Sequence, residues 1–183
     1  MKEQTNLSAF FPYLYTRRKM ITESAMGLCG LALAGTVSEA QESAAAPQPS
    51  KAILMVKAIH QEEDFAASPQ RIYDALLDSK QFSALSGFPG AEIHREVGGT
   101  FTLFGGHVLG RNLELTPNHL IVQAWRAADW PEGIYSIARF ELAPQGSGTR
   151  LNFDHTGFPP NKAEVLEAGW REHYWATLRK YLV

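Results

Sequence analysis

The sequence predicts an α+β fold, an antiparallel sheet of about six to seven strands with short helices after the first strand and one long C-terminal helix laid across it. Three observations lead there. Short segments of alternating apolar and polar residues, separated by Gly- and Pro-bearing turns, fill Ala91 to Phe158. An apolar stripe at helical spacing then follows in Leu166, Trp170, Tyr174, Leu178 and Tyr181. A meandering sheet has to bury one of its faces, and the terminal helix is the cover within reach.

The elements follow in order. Ile53 to Phe65 is an apolar run passing into charge and reads as a first strand. Ser68-Pro69 is a helix start, with Ser as the cap and Pro in the first turn, and Ile72, Ala75, Leu76 and Phe82 continue at helical spacing. That helix should be short and broken around Asp78-Ser79, and Ser86 to Gly90 should be a loop. Gly98-Gly99 reads as a tight turn between strands over Glu92–Val97 and Thr100–Phe104, and Gly105-Gly106 as a second. A strand over His107–Leu115 should put Leu109, Leu113 and Leu115 on one face. Strands over His119–Ala127, Ile134–Leu142 and Thr149–Thr156 follow. In the second of these, Ile134, Ala138, Phe140 and Leu142 face one way and Tyr135, Arg139 and Glu141 the other; in the third, Leu151, Phe153 and His155 share a face. The helix is expected over about Lys162 to Tyr181.

The N-terminal part has a different character. Thr16-Arg17-Arg18-Lys19-Met20-Ile21 reads as a twin-arginine export motif, followed by an uncharged Ala-, Gly- and Leu-rich stretch from Ala25 to Val37. That stretch is too short for a bilayer span, which needs about 20 residues. Ser38-Glu39-Ala40 places small residues where a signal peptidase reads, so cleavage after Ala40 would leave Gln41 first. The competing reading is a buried amphipathic helix. The expected organisation is a signal peptide over 1–40, a flexible Ala/Pro/Gln/Ser tether over 41–52 and one domain over 53–183. It implies passage through the twin-arginine translocation machinery, a periplasmic or cell-envelope location, and no membrane span once the leader is removed.

Composition narrows the function classes. The formal net charge of −2 offers no broad basic field for nucleic acid. The one cysteine, Cys29, lies in the leader, which leaves no disulfide or cysteine–zinc site for the domain. His60, His94, His107, His119, His155 and His173 are scattered without HExxH or paired spacing, so no metal site is expected. The glycine pairs lack phosphate-loop spacing, and no GxSxG elbow is present. Asp154 and His155 are adjacent on a strand and should point to opposite faces. Neither covalent nor metal catalysis has a positive sign, and no cofactor is expected.

The ordered set of local motifs resembles the SRPBCC superfamily, the helix-grip fold. Within it the branch is similar to the C-terminal domain of the heat-shock-protein-90 ATPase activators. The matching pieces run in order: Phe65-x-Ala67-Ser68-Pro69 with Ile72-Tyr73-x-Ala75-Leu76; Val97-Gly98-Gly99-x-Phe101; Phe104-Gly105-Gly106-x-Val108-x-Gly110. After them come Glu114-Leu115-x-Pro117, Ile121-Val122-Gln123-x-Trp125-Arg126, Leu151-x-Phe153-x-His155-x-Gly157-x-Pro159 and Gly169-Trp170. The resemblance implies a curved sheet gripping the C-terminal helix, often around an apolar cavity. Phe101, Phe104, Trp125, Tyr135, Phe153, His155, Trp170 and Tyr174 are the expected lining of such a pocket for an apolar or amphipathic small molecule. The same aromatics could instead fill the core. Two alternatives stand beside a binding module. One is a chaperone-associated protein, which export disfavours because that chaperone and its ATP are cytosolic. The other is a cyclase- or hydrolase-like enzyme, for which His155, Arg126 and Tyr135 are the candidate acid–base groups.

Overall fold

The computed structural model describes residues 57–183. The leader expectations on Arg17, Arg18, Cys29 and Ala40, and the tether after them, lie outside the described residues. The chain runs β1 (Ile59–Phe65), α1 (Pro69–Leu77), α2 (Ser79–Ser86), β2 (Glu92–Ile93), β3 (Thr100–Leu103), β4 (Val108–Thr116), β5 (Leu120–Ala127), β6 (Ser136–Gln145) and β7 (Gly148–Thr156). A C-terminal helix closes it as α3 (Ala163–Gly169), a π-helical segment (Trp170–Trp175) and α4 (Ala176–Leu182). The strands form one antiparallel sheet in the order β1-β7-β6-β5-β4-β3-β2. This is the α+β helix-grip architecture expected from the sequence.

Local chemistry accounts for the elements. Ser68 caps α1 by accepting from the Arg71 N–H at 3.3 Å, and Pro69 occupies the first turn, where its missing N–H costs nothing. Asp78 makes the expected break. Its own N–H donates to the Asp74 carbonyl to end α1, while its carboxylate accepts from the Lys80 and Gln81 N–H groups at 3.0 and 2.9 Å to start α2. Burial alternates along β5 and β7, so Ile121, Gln123, Trp125 and Ala127 face inward, as do Leu151, Phe153 and His155.

Several sequence expectations are corrected. β2 is only two residues long, because the chain from His94 to Gly99 leaves the sheet and folds onto β4. There the Asn112 N–H donates to the Gly99 carbonyl and the Asn112 amide to the His94 carbonyl, both at 2.9 Å. The three leucines of β4 do not share a face. A bulge between Asn112 and Glu114 shifts the register, so Val108 and Asn112 are buried and Leu115 packs on the core, whereas Leu113 is 44% exposed. Phe104 is not the end of β3. It opens a 3₁₀ turn at φ 52°, and its ring is buried. Ile134 precedes β6 and is exposed. Ser136 takes the first inward position of that strand instead.

Candidate functional site

The sheet and the terminal helix enclose one aromatic layer. Phe101, Phe104, Trp125, Phe153, His155, Trp170 and Tyr174 are each 3% exposed or less, so the structure brings seven of the eight expected lining residues together. Their rings touch. Trp170 lies 4.1 Å from Tyr174 and 4.3 Å from Phe153, and Tyr174 meets Phe104 edge-on at 5.3 Å, centroid to centroid. The eighth, Tyr135, is 48% exposed on the outside of the sheet, because it precedes the inward Ser136 and successive strand residues alternate.

The layer is filled. The space left among Phe82, Phe101, Ile121, Gln123, Phe140 and Tyr174 is about 10 Å³, room for about one water and nothing larger. Burial pushes the Tyr174 phenol well above its usual range.

The polar groups inside are committed to structure. The Trp170 indole N–H donates to His155 Nδ1 at 3.0 Å. An indole only donates, so Nδ1 carries the lone pair and Nε2 the proton. Nε2–H then donates to Ser136 Oγ at 2.6 Å, whose hydroxyl donates in turn to the Trp125 carbonyl at 2.8 Å. Burial holds the imidazole neutral, with its pKa pushed down to about 3. Asp154, next along the strand, points outward to His60 at 2.7 Å, so the two neighbours do not touch. Arg126 and Tyr135 stand on the opposite side of the sheet from His155. The Arg126 guanidinium sits 5.7 Å over the Tyr135 ring and donates to the Trp130 carbonyl at 2.5 Å. The three candidate acid–base groups therefore do not converge on one reacting position. Among the described residues no cluster of three His, Cys, Asp or Glu side chains could hold a metal ion, and no helix is long and apolar enough to cross a membrane.

Two interior features escape a sequence reading. Trp175 is off the expected stripe but is buried, because i→i+5 bonding across Trp170–Trp175 brings the sixth residue of the segment back beside the first. The two indoles are 5.8 Å apart and within 23° of parallel. Gln61 of β1 holds that widened turn. Its Oε1 accepts from the Trp175 indole at 2.5 Å and its Nε2 donates to the Glu167 carbonyl at 3.0 Å. Buried Gln123 and Asn112 form a similar pair at 3.0 Å. Polar residues at inward strand positions are the only sequence sign of either arrangement.

A curved antiparallel sheet gripping a terminal helix, with a closed aromatic interior, defines a helix-grip domain of the SRPBCC superfamily. Residues 66–183 match the model of the family described as activator of Hsp90 ATPase homolog 1-like protein, and the chain belongs to that family. It is 30% identical over 118 residues to an activator of 90 kDa heat shock protein ATPase homolog from Dictyostelium discoideum, covering 64% of this chain and 30% of the relative. It is 27% identical over 119 residues to the homolog 1 from Homo sapiens, covering 65% of this chain and 35% of the relative. The chain thus spans about a third of the length of these relatives. A crystal structure of an HSP90 activator from Plasmodium falciparum superposes with a TM-score of 0.66 at 28% identity, covering 68% of this chain and 95% of that one. The solution structure of an Aha1 dimer from Colwellia psychrerythraea shares the fold, with a TM-score of 0.59 at 21% identity over 69% of this chain and 96% of that one.

Proposed function

We propose that this chain is a non-enzymatic binding module, carried out of the cytosol by its N-terminal leader, that meets a protein partner on the outside of its sheet. The observation behind this is the filled interior. A ligand-sized pocket usually offers about 300 Å³ or more, against the 10 Å³ left inside the aromatic layer. His155, the most promising inward base, has both ring nitrogens in use.

Similarity to proteins named as activators of the 90 kDa heat shock protein ATPase supports a chaperone or its client as the kind of partner. The Arg17-Arg18 motif, the apolar Ala25–Val37 stretch and the Ser38-Glu39-Ala40 site support export. Export separates the domain from cytosolic ATP, so the partner is a protein of the envelope. Native mass spectrometry of protein purified from its own cell envelope should give a chain beginning at or near Gln41, free of small-molecule adduct and in part bound to another protein. Changing Arg17 and Arg18 together to Lys should hold it in the cytosol. Envelope protein that begins at Met1 or Lys2 would remove the export reading. Stimulation of a purified 90 kDa chaperone's ATP hydrolysis would then be the activity to measure.

A second reading keeps an apolar or amphipathic small molecule inside the domain. It is favoured by Gln123, a buried polar side chain facing the residual space beside Tyr174. It requires Phe82, Phe104 and Tyr174 to part, and a stoichiometric adduct in the same mass spectrum would select it.

A further inference from the structure

One corner of the outer sheet face differs from the rest. On β4 and β5, Leu109 stands opposite Arg126 and Arg111 opposite Ala124. The second row continues through Ile137 of β6 to Thr156 of β7. Tyr135 lies beneath the Arg126 guanidinium. Tyr135 and Ile137 are 48% and 39% exposed, two of the six large hydrophobic residues that the described chain leaves in solvent. Leu113, at the β4 bulge, is a third.

The charges are arranged to match. Elsewhere on this face the arginines are neutralised, Arg150 by Glu62 and Asp64 and Arg139 by Glu141 and Asp154. At the corner they are not. Among the described residues, Arg126 donates only to the neutral carbonyls of Trp130 and Pro131, and its Nε is buried without an acceptor. Arg111 is exposed and, among the described residues, stands in no ion pair. The second row carries no carboxylate, and the first meets one only at its far end, where Leu109 leads through Thr102 of β3 to Glu92 of β2.

We infer that this corner binds an extended acidic segment of a partner protein, with two carboxylates on Arg111 and Arg126 and flanking apolar side chains on Ile137 and Tyr135. The inference rests on the proposal that function lies on the outer face, and adds the place and the partner's chemistry. Spacing supports it. Arg111 and Arg126 are diagonal neighbours on paired strands, about 7–8 Å apart at Cα. Side chains at alternate positions of an extended segment are about 7 Å apart and face the same way. An anionic membrane fits less well. Glu62, Asp64, Glu114, Glu141 and Asp154 share the outer face, and a flat anionic surface would press on them, whereas a narrow segment would not.

The test uses the purified protein and a fluorescein-labelled peptide with aspartates at two alternate positions and a leucine two residues outside each. Saturable binding should weaken as salt rises and disappear when both aspartates are asparagine. Arg111→Glu and Ile137→Asp should each weaken it by about tenfold or more, as losing a close charge pair or an apolar anchor does at interfaces. Arg150→Glu should leave it unchanged. Thermal melts confirm that each variant is folded. An Arg111→Glu protein that binds like wild type would overturn the inference, as would phosphatidylglycerol vesicles binding in an Arg111-dependent way while the peptide does not bind. If the peptide fails while the envelope-purified domain still carries a protein partner, this corner is wrong and the outer-face reading survives. If both fail, both fall.

Discussion

The Trp170 indole N–H points at Nδ1 of His155 across 3.0 Å, and this bond decides which proton the histidine keeps. With Nδ1 accepting and Nε2 donating to Ser136, the ring has no free lone pair to offer a substrate and no need of a second proton. His155 is therefore a structural histidine, although it is the innermost titratable residue of β7.

The first prediction follows from its pKa. Burial lowers it to about 3 from the ordinary 6.5. Between those values the unfolded chain binds a proton that the native chain refuses, so stability falls as pH falls through this window. The slope is at most about 1.4 kcal/mol per pH unit. Buried His173 is lowered too and adds to the wild-type slope. Comparison with His155→Gln isolates the His155 part. Urea unfolding at pH 6.5 and 4.5 should show wild type losing about 2–3 kcal/mol more than the variant. Equal losses would mean that the imidazole reaches solvent. The ring proton resonance of His155 should show no inflection above about pH 4.

Gln61 carries the second prediction. Its amide serves Trp175 and the Glu167 carbonyl at once, joining β1 to the π-helical turn. Gln61→Leu keeps the bulk and removes both bonds, leaving an indole N–H without a partner at a buried site. The cost should be about 2–4 kcal/mol, since each buried group left unpaired costs about 1–3 kcal/mol. Hydrogen exchange should show the protection of Trp170–Trp175 amides falling first. Unchanged exchange there, with a global loss of stability, would place the role of Gln61 in β1 instead.

Gly110 supplies a third. The Phe101 ring folds over it from β3, and an added Cβ would run into that ring and the Ala124 carbonyl. Gly110→Ala should therefore destabilise by about 1–3 kcal/mol, the usual range for overpacking, even though alanine suits a strand better than glycine. A thermal melt at or above the wild-type midpoint would show that Phe101 has somewhere else to go.

What was legible in the sequence was whatever kept a regular period. Leu151, Phe153 and His155 alternate without interruption, and the structure turns all three inward. Ser68-Pro69 and Asp78 are local chemical signals, and the helices begin and end on them. The failures lie where the period changes. At Asn112 a bulge moves Leu113 out and Leu115 in, and no local residue type announces it. At Trp170 the helix passes from α to π, so Trp175 joins a face that a 3.6-residue period denies it. The expected pocket is a different case. Aromatic side chains at inward positions look alike in sequence whether they line a space or fill it, and only their packing distinguishes the two.

Trp170 puts that distinction to the test. It touches Tyr174, Phe153, Phe140 and Trp125 as well as bonding to His155, and it is fully buried. In a filled core, Trp170→Ala should cost about 3–5 kcal/mol, and the unpaired His155 Nδ1 should move it to the upper end. A domain of this size has about 5–15 kcal/mol in all, so the variant should unfold cooperatively but at much lower denaturant. Trp170→Phe separates the two parts, because it keeps most of the ring contacts and removes only the N–H. It should cost about 1–3 kcal/mol and should allow His155 to titrate at higher pH, with its Nδ1 lone pair released. Wild-type protein should not enhance the fluorescence of an apolar probe such as an anilinonaphthalene sulfonate, for lack of room. A wild type that binds the probe, together with a Trp170→Ala variant losing well under ~3 kcal/mol, would mean that the aromatic layer opens in solution and that the interior, not the outer face, is where this domain binds.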